Sequence, residues 1–165
     1  MWLLGLIAAL VFLSFCFVLI FGPPYLPTLG PQVETALELA NLQPGQTLLE
    51  LGCGDGKVLL AAARRGWKAV GYELNPVLVL VCRLRTWRYR RLVSVRWGNF
   101  LTRSWPAADV IFIFGLPRIM PKLDKKVMQS IRRPVKLISF AFAVPGRKPA
   151  ASENGLYVYM YKPKN

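Results

Sequence analysis

Gly52, Gly54 and Gly56 alternate with other residues in Leu48-Leu49-Glu50-Leu51-Gly52-Cys53-Gly54-Asp55-Gly56-Lys57, directly behind an apolar run, and Glu73 follows 21 residues after Gly52. Glycines so placed bring bare backbone and the positive end of a helix against a ligand. An acid about 20 residues further on, at the end of the next strand, is at the right distance to accept both hydroxyls of a ribose. The pair therefore points to a nucleoside-containing ligand, the plain alternative being a tight turn followed by an incidental acid. Two phosphate-binding patterns fit less well. A P-loop ending at Gly56-Lys57 requires Gly at 51 and Ser or Thr at 58, where Leu51 and Val58 stand, and G-x-G-x-x-G from Gly52 requires Gly at 57, where Lys57 stands. The 165 residues contain no histidine, which excludes Ser-His-Asp and Cys-His nucleophile systems and every histidine-ligated metal site. No metal is expected; Asp, Glu, Lys, Tyr, Cys or plain positioning must carry any chemistry. Cys16, Cys53 and Cys82 share no C-x-x-C spacing, and their odd number argues against a disulfide scaffold and for a reducing compartment.

The elements that must position these residues alternate. Val33 to Leu42 has apolar residues at helical spacing and ends at Pro44-Gly45. Strands are predicted over 48–51, 69–73, 93–97, 109–114 and 135–142, with helices over 58–65, 76–92 and 120–131. Such alternation indicates βαβ units and a mostly parallel α/β sheet, Rossmann-like, with helices on both faces. The ending differs: 147–152 and 156–162 flank Glu153-Asn154-Gly155, whose Asn-Gly predicts a C-terminal antiparallel hairpin.

Glu50-Leu-Gly-Cys-Gly-Asp-Gly with Gly71-Tyr-Glu73 resembles the first motif and following acidic strand end of class I, seven-β-strand S-adenosylmethionine-dependent methyltransferases. More narrowly, Pro24-Tyr-Leu-Pro27-Thr28, then Gln32-Val33-Glu34, LGCGDGKVLLAA and GYELNP behind a hydrophobic N-terminus are similar to the small membrane-anchored protein lysine methyltransferases of mitochondria and their prokaryotic relatives. These modify the adenine nucleotide translocase and the ATP synthase c-subunit. The similarity covers most of residues 24 to 115 and is looser beyond Asp109.

The resemblance implies S-adenosyl-L-methionine as cofactor. It implies that Gly52, Cys53 and Gly54 make room for the methionine part, that Glu50 orients the amino end, and that Glu73 with Leu74 holds the ribose. Asn99 and Phe100 fall where this fold flanks the adenine, and Phe114 to Pro117 where it covers the sulfonium, although this apolar segment departs from the polar tetrapeptide of many amine methyltransferases. Tyr25, Thr28, Gln32 and Glu34 would form a lid over cofactor and substrate. The reaction implied is in-line transfer of a methyl group to a lysine amine. That amine, with an ordinary pKa of ~10.4, must be held neutral by desolvation and by the nearby sulfonium charge. Positioning can supply much of the barrier reduction, so no base is required, and Glu34 and Asp109 are the candidates to help remove the proton.

Two features concern partners. Trp2 to Phe21 is uncharged for 20 residues and is followed by Gly22-Pro23-Pro24; as a helix it would span about 30 Å, the thickness of a bilayer core. Residues 1–22 are expected to be a transmembrane anchor, 23–46 a linker and lid helix, and 47–165 the methyltransferase domain. A cleaved signal peptide fits less well, because no basic n-region precedes the run. The protein is thus expected to be single-pass, with its domain on the bacterial cytoplasmic or mitochondrial matrix face, where the cofactor is found. Residues 1–63 carry a net charge of −3 and residues 64–165 a net of +17. Seven arginines lie within Arg83 to Arg103, interleaved with Trp87, Tyr89 and Trp97, which suits an anionic lipid surface and also stacking on RNA. Three functions follow in order: methylation of a protein lysine on a membrane protein, RNA methylation through the arginine-aromatic surface, and a non-catalytic membrane scaffold.

Overall fold

A computed structural model of the chain describes residues 30–163 together with 2, 4–6, 8, 9, 12 and 13. Alternation along the strands sorts the apolar side chains between two layers. In β1 (Thr47–Leu51) Leu48 joins one buried cluster while Leu49 and Leu51 join the other. In β4 (Val110–Phe114) Val110 and Phe112 go with the first cluster, Ile111 and Ile113 with the second. Strands buried on both faces read as continuous apolar runs, which is why Val110-Ile111-Phe112-Ile113-Phe114 has no polar position.

The other strands are β2 (Lys68–Glu73), β3 (Val93–Trp97), β5 (Val135–Phe140), β6 (Ala151–Glu153) and β7 (Leu156–Tyr161). Among the described residues they form one seven-stranded sheet in the order β3-β2-β1-β4-β5-β7-β6. The β1–β5 pairings are parallel, and β7 runs antiparallel to both β5 and β6. The predicted hairpin is therefore present, with Asn154 (φ 48°) and Gly155 (φ 77°) supplying the two positive φ angles of its turn.

On the first face lie α1 (Gly30–Ala40), α2 (Lys57–Arg64) and α3 (Pro76–Thr86), burying Val33, Leu37, Val58, Leu59 and Cys82. The second is covered by α4 (Met120–Ser130), through Met120, Leu123 and Val127, and by loops. The helix predicted over 76–92 stops at Thr86 and passes through a 3-10 turn at Trp87–Tyr89. The chain must turn there to reach the sheet, where Ala69 N donates to the Leu92 carbonyl at 2.9 Å.

Two partner expectations change here. The transmembrane anchor over residues 2–21 falls mostly outside the described residues. Among the described residues no helix is long and apolar enough to cross a membrane, and the single-pass membrane localisation is withdrawn on that finding.

Candidate functional site

β1 ends at Leu51, and the chain turns over the carboxyl edge of the sheet through Gly52, Gly54 and Gly56, with φ of 85°, 51° and 81°. Those angles are left-handed, a region that glycine enters without the penalty of a Cβ. Gly52 N and Cys53 N both donate to the Tyr72 carbonyl at 2.9 Å, so the turn remains stitched to β2. At Gly56 a Cβ would also strike the Cys82 sulfur, since α2 begins against α3 at that point. Gly71 is small for another reason: a Cβ there would meet Leu59 Cδ1 at 2.6 Å and Cys53 Sγ at 2.7 Å, where β2 passes beneath the turn.

Glu73 closes the arrangement. Its Oε2 accepts from Gly54 N at 2.9 Å, and its Oε1 from Leu74 N and Asn75 N at 2.8 Å each. Its carbonyl accepts from Gly98 N at 2.9 Å, so the ends of β1, β2 and β3 are tied through one residue. Burial raises the Glu73 carboxyl above its usual range, partly offset by the N–H groups of Asn75, Gly54 and Leu74.

Glu50 lies one layer deeper, 5% exposed, and its Oε2 is buried with no hydrogen-bond partner among the described residues. Burial pushes its carboxyl well above the carboxylate range; Cys82, Asp55 and Glu73 push the same way, and the Leu59 N–H pulls weakly back. A buried acceptor left empty is costly, and a cationic donor arriving at the turn would satisfy it. Cys53 is no nucleophile: contact with Cys82, at Sγ–Sγ 4.0 Å, and burial both raise its thiol, so it stays protonated.

Asn75 is a member that the sequence reading did not single out. It is fully buried, its N–H binds Glu73, and its Oδ1 caps α3 by accepting from Val77 N (2.9 Å) and Leu78 N (3.4 Å). Its signal was present as Asn-Pro directly after a strand-end acid, an N-cap followed by proline at the first helical position. On the outer side Asp55 pairs with Arg85, fastening the glycine turn to α3.

The remaining expected site residues divide. Asn99 and Phe100 follow β3 at the same edge; Asn99 Oδ1 accepts from Leu101 N at 2.9 Å, and Phe100 is buried. Phe114 ends β4 and packs on Phe140 at the end of β5, ring centroids 4.7 Å apart, and Pro117 is exposed in the loop beyond. Gln32 is half-buried on α1, its Oε1 without a partner among the described residues, whereas Tyr25 and Thr28 lie outside them. Glu34 is exposed and ion-paired with Arg65 at 2.6 Å, at the far end of α2 from the glycine turn. Asp109 is not brought to the site at all. It precedes β4 at the opposite edge of the sheet, where Oδ2 accepts from Thr47 N at 2.8 Å and Oδ1 pairs with Arg133 at 2.9 Å. The expected part of Asp109 in proton removal gives way to a structural one, because a strand's first and last residues stand on opposite edges.

Comparison with known proteins agrees with this geometry. The ANTKMT methyltransferase domain model matches residues 50–151. A lysine N-methyltransferase of the ATP synthase c-subunit from Xenopus laevis is 36% identical over 132 residues, covering 76% of this chain and 56% of the relative. A protein-lysine N-methyltransferase from Saccharolobus islandicus is 28% identical, covering 76% of this chain and 81% of the relative. A solved RNA methyltransferase from Salinibacter ruber in complex with S-adenosyl-L-homocysteine superposes with a TM-score of 0.77 at 29% identity, covering 85% of this chain and 95% of that one. The chain spans 51–59% of the length of the first vertebrate relatives it matches. With the matched model covering well over half of its residues, the chain belongs to the ANTKMT methyltransferase domain family.

Proposed function

We propose that this protein is an S-adenosylmethionine-dependent methyltransferase that modifies a lysine side chain of a protein. The observation that carries the reading is the buried, unpartnered carboxylate oxygen of Glu50 beneath a glycine turn whose neighbouring acid is already anchored by three N–H groups. The residues fit the cofactor. Glu50 offers an acceptor to an ammonium group, and Glu73 keeps acceptor capacity beyond its three backbone bonds for ribose hydroxyls. The space where a Gly52 Cβ would sit is open to 4 Å, so a ligand can approach the backbone closely there. When bound, S-adenosylmethionine supplies an electrophilic methyl group on a positively charged sulfur.

The chain's own residues then have to hold two partners in line. Asn99 and Phe100 flank the purine side. Phe114, Pro117 and Gln32 receive the acceptor; Tyr25 and Thr28, outside the described residues, keep the lid role that the family resemblance implies. The Phe114–Phe140 pair at the ends of β4 and β5 offers an apolar wall, which favours the neutral amine of an incoming lysine. With Glu34 engaged by Arg65 and Asp109 at the other edge, proximity and orientation carry the transfer without a dedicated base. A protein acceptor is supported by relatives named as protein-lysine N-methyltransferases.

RNA is the second reading, favoured by the name of the Salinibacter neighbour and by the arginines of residues 83–103. Three of these already hold partners within the chain, however: Arg83 the Val95 carbonyl, Arg85 the Asp55 carboxylate and Arg96 the Tyr72 hydroxyl. The test is to incubate the purified protein with methyl-labelled S-adenosylmethionine and, separately, protein and RNA fractions from cells lacking it. Label recovered as methyl-lysine by mass spectrometry is expected; label on RNA, or on neither, overturns the proposal.

A further inference from the structure

The least expected surface of the molecule is the outer side of α3. Leu78, Val79 and Cys82 face inward and are buried, as a surface helix requires. The opposite face, however, carries Val77, Leu80, Val81 and Leu84 at i, i+3, i+4 and i+7, one stripe of a helix, with Trp87 continuing it into the 3-10 turn. Leu80, Leu84 and Trp87 are 59%, 68% and 62% exposed. A helix apolar on both sides is normally buried on both, and an exposed apolar patch of this kind marks an interaction site.

Position and charge specify the occupant. Asn75, which caps the start of α3, donates its N–H to Glu73, so the Val77 end of the stripe adjoins the candidate cofactor site. Trp97, 60% exposed at the end of β3, is held against that same end by its Nε1 bond to the Leu74 carbonyl at 2.9 Å. The other end, about 15 Å along the helix, leads into Arg88, Arg90 and Arg91. Of the arginines flanking the middle of the stripe, Arg85 is charge-paired with Asp55 and Arg83 donates to the Val95 carbonyl while keeping its charge, so the cationic character is concentrated toward the Trp87 end. At the Trp87 end Arg88 and Arg91 have no ionic or hydrogen-bonding partner among the described residues, and Arg90 lies over the Trp87 ring. A surface that is apolar for three turns and cationic at one end complements a helix that is apolar for three turns and acidic at one end.

We infer that the outer face of α3 is the docking surface for the protein substrate, taking an apolar helical segment whose acidic end lies over Arg88–Arg91 and whose methylated lysine lies beyond the Val77 end. This rests on the protein-lysine reading above and adds to it where the substrate is held and in which direction. The test uses the full chain and a fluorescent synthetic helical peptide of leucine and alanine with two glutamates at one end and a single lysine at the other. Anisotropy should report saturable binding that weakens about tenfold or more in Leu80→Gln/Leu84→Gln, two exposed positions where glutamine keeps good helix propensity. Cofactor binding by calorimetry should be unchanged in that variant. Arg88→Glu/Arg91→Glu should reverse the preference, binding a peptide with lysines in place of the glutamates more tightly than the original. Unaltered peptide binding in both variants overturns the inference. So does tighter wild-type binding to vesicles of equal phosphatidylcholine and phosphatidylglycerol, or to polyuridylate, if Leu80→Gln/Leu84→Gln abolishes it. Equal methylation of the peptide lysine by wild type and variant removes the docking surface but leaves the enzyme reading. Stripe-dependent binding without methyl transfer to lysine removes the enzyme reading but leaves the surface.

Discussion

Glu50 and Glu73 are both pushed upward by burial, but they differ in what they already hold. Glu73 accepts three backbone N–H groups, so Glu73→Ala should orphan all three, lower stability by about 2–4 kcal/mol and abolish S-adenosylmethionine binding; denaturant unfolding and calorimetry read the two effects separately. Glu50 keeps an oxygen with no donor among the described residues. In the unfolded chain it titrates near ~4.3, and in the cofactor-free fold well above that, so below the lower value no charge is buried and the pH-dependent part of its cost is absent. As pH rises from the ordinary glutamate range through the raised value, stability is lost. Thermal melts of the cofactor-free protein from acidic to neutral pH should show this loss in the wild type and not in Glu50→Gln, which should be the more stable at neutral pH. The same variant should bind cofactor about 10–100-fold more weakly, since a charge-assisted bond becomes a neutral one.

At the scale of elements, the turn after β1 works because two other elements leave room for it. α3 places the Cys82 sulfur where Gly56 must pass, and β2 presents Gly71 where Cys53 and Leu59 pack. Gly71→Ala should therefore cost about 1–3 kcal/mol or more by overpacking, seen as a lower Tm, although position 71 touches no ligand. α1 is held at its other end by Lys136 of β5, whose Nζ donates to the carbonyls of Leu39 (2.7 Å) and Ala40 (2.9 Å), the open acceptors of the helix C-terminus. Burial lowers the pKa of this lysine. Lys136→Met should destabilise α1 by about 1 kcal/mol and, since Gln32 stands on that helix, raise KM for the acceptor more than it lowers kcat; steady-state kinetics with a methyl acceptor check the split.

Across the whole molecule, the parallel strands separate the candidate site from scaffolding. The glycine turn, Glu73 and the Phe114–Phe140 pair gather where the strands end, while Asp109, Thr47 and Arg133 lock the edge where they begin. Asp109→Ala should consequently lower the unfolding free energy by about 1–3 kcal/mol and leave methyl transfer per folded molecule within about twofold, measured as kcat on protein quantified by active-site titration. A large loss of kcat in fully folded Asp109→Ala would return this residue to the mechanism.

The candidate cofactor site was legible in the sequence because its determinants are local: three alternating glycines, the strand before them and one acid at a set distance, all within the run from Leu48 to Glu73. The antiparallel pairing of the last two strands was legible in Asn154-Gly155 for the same reason. What could not be read along the chain was which edge of the sheet a residue reaches and what its side chain already holds. Asp109, just before β4, and Phe114, at its end, are only five residues apart and stand at opposite edges, and Glu34 is taken by Arg65, 31 positions away. The outer face of α3 was hidden as well, since an apolar residue in a helix reads as core until packing is known. Local spacing thus determined the cofactor motif, whereas burial and long-range pairing, which exist only once the layers assemble, decided which acids stay available and which apolar face is left uncovered.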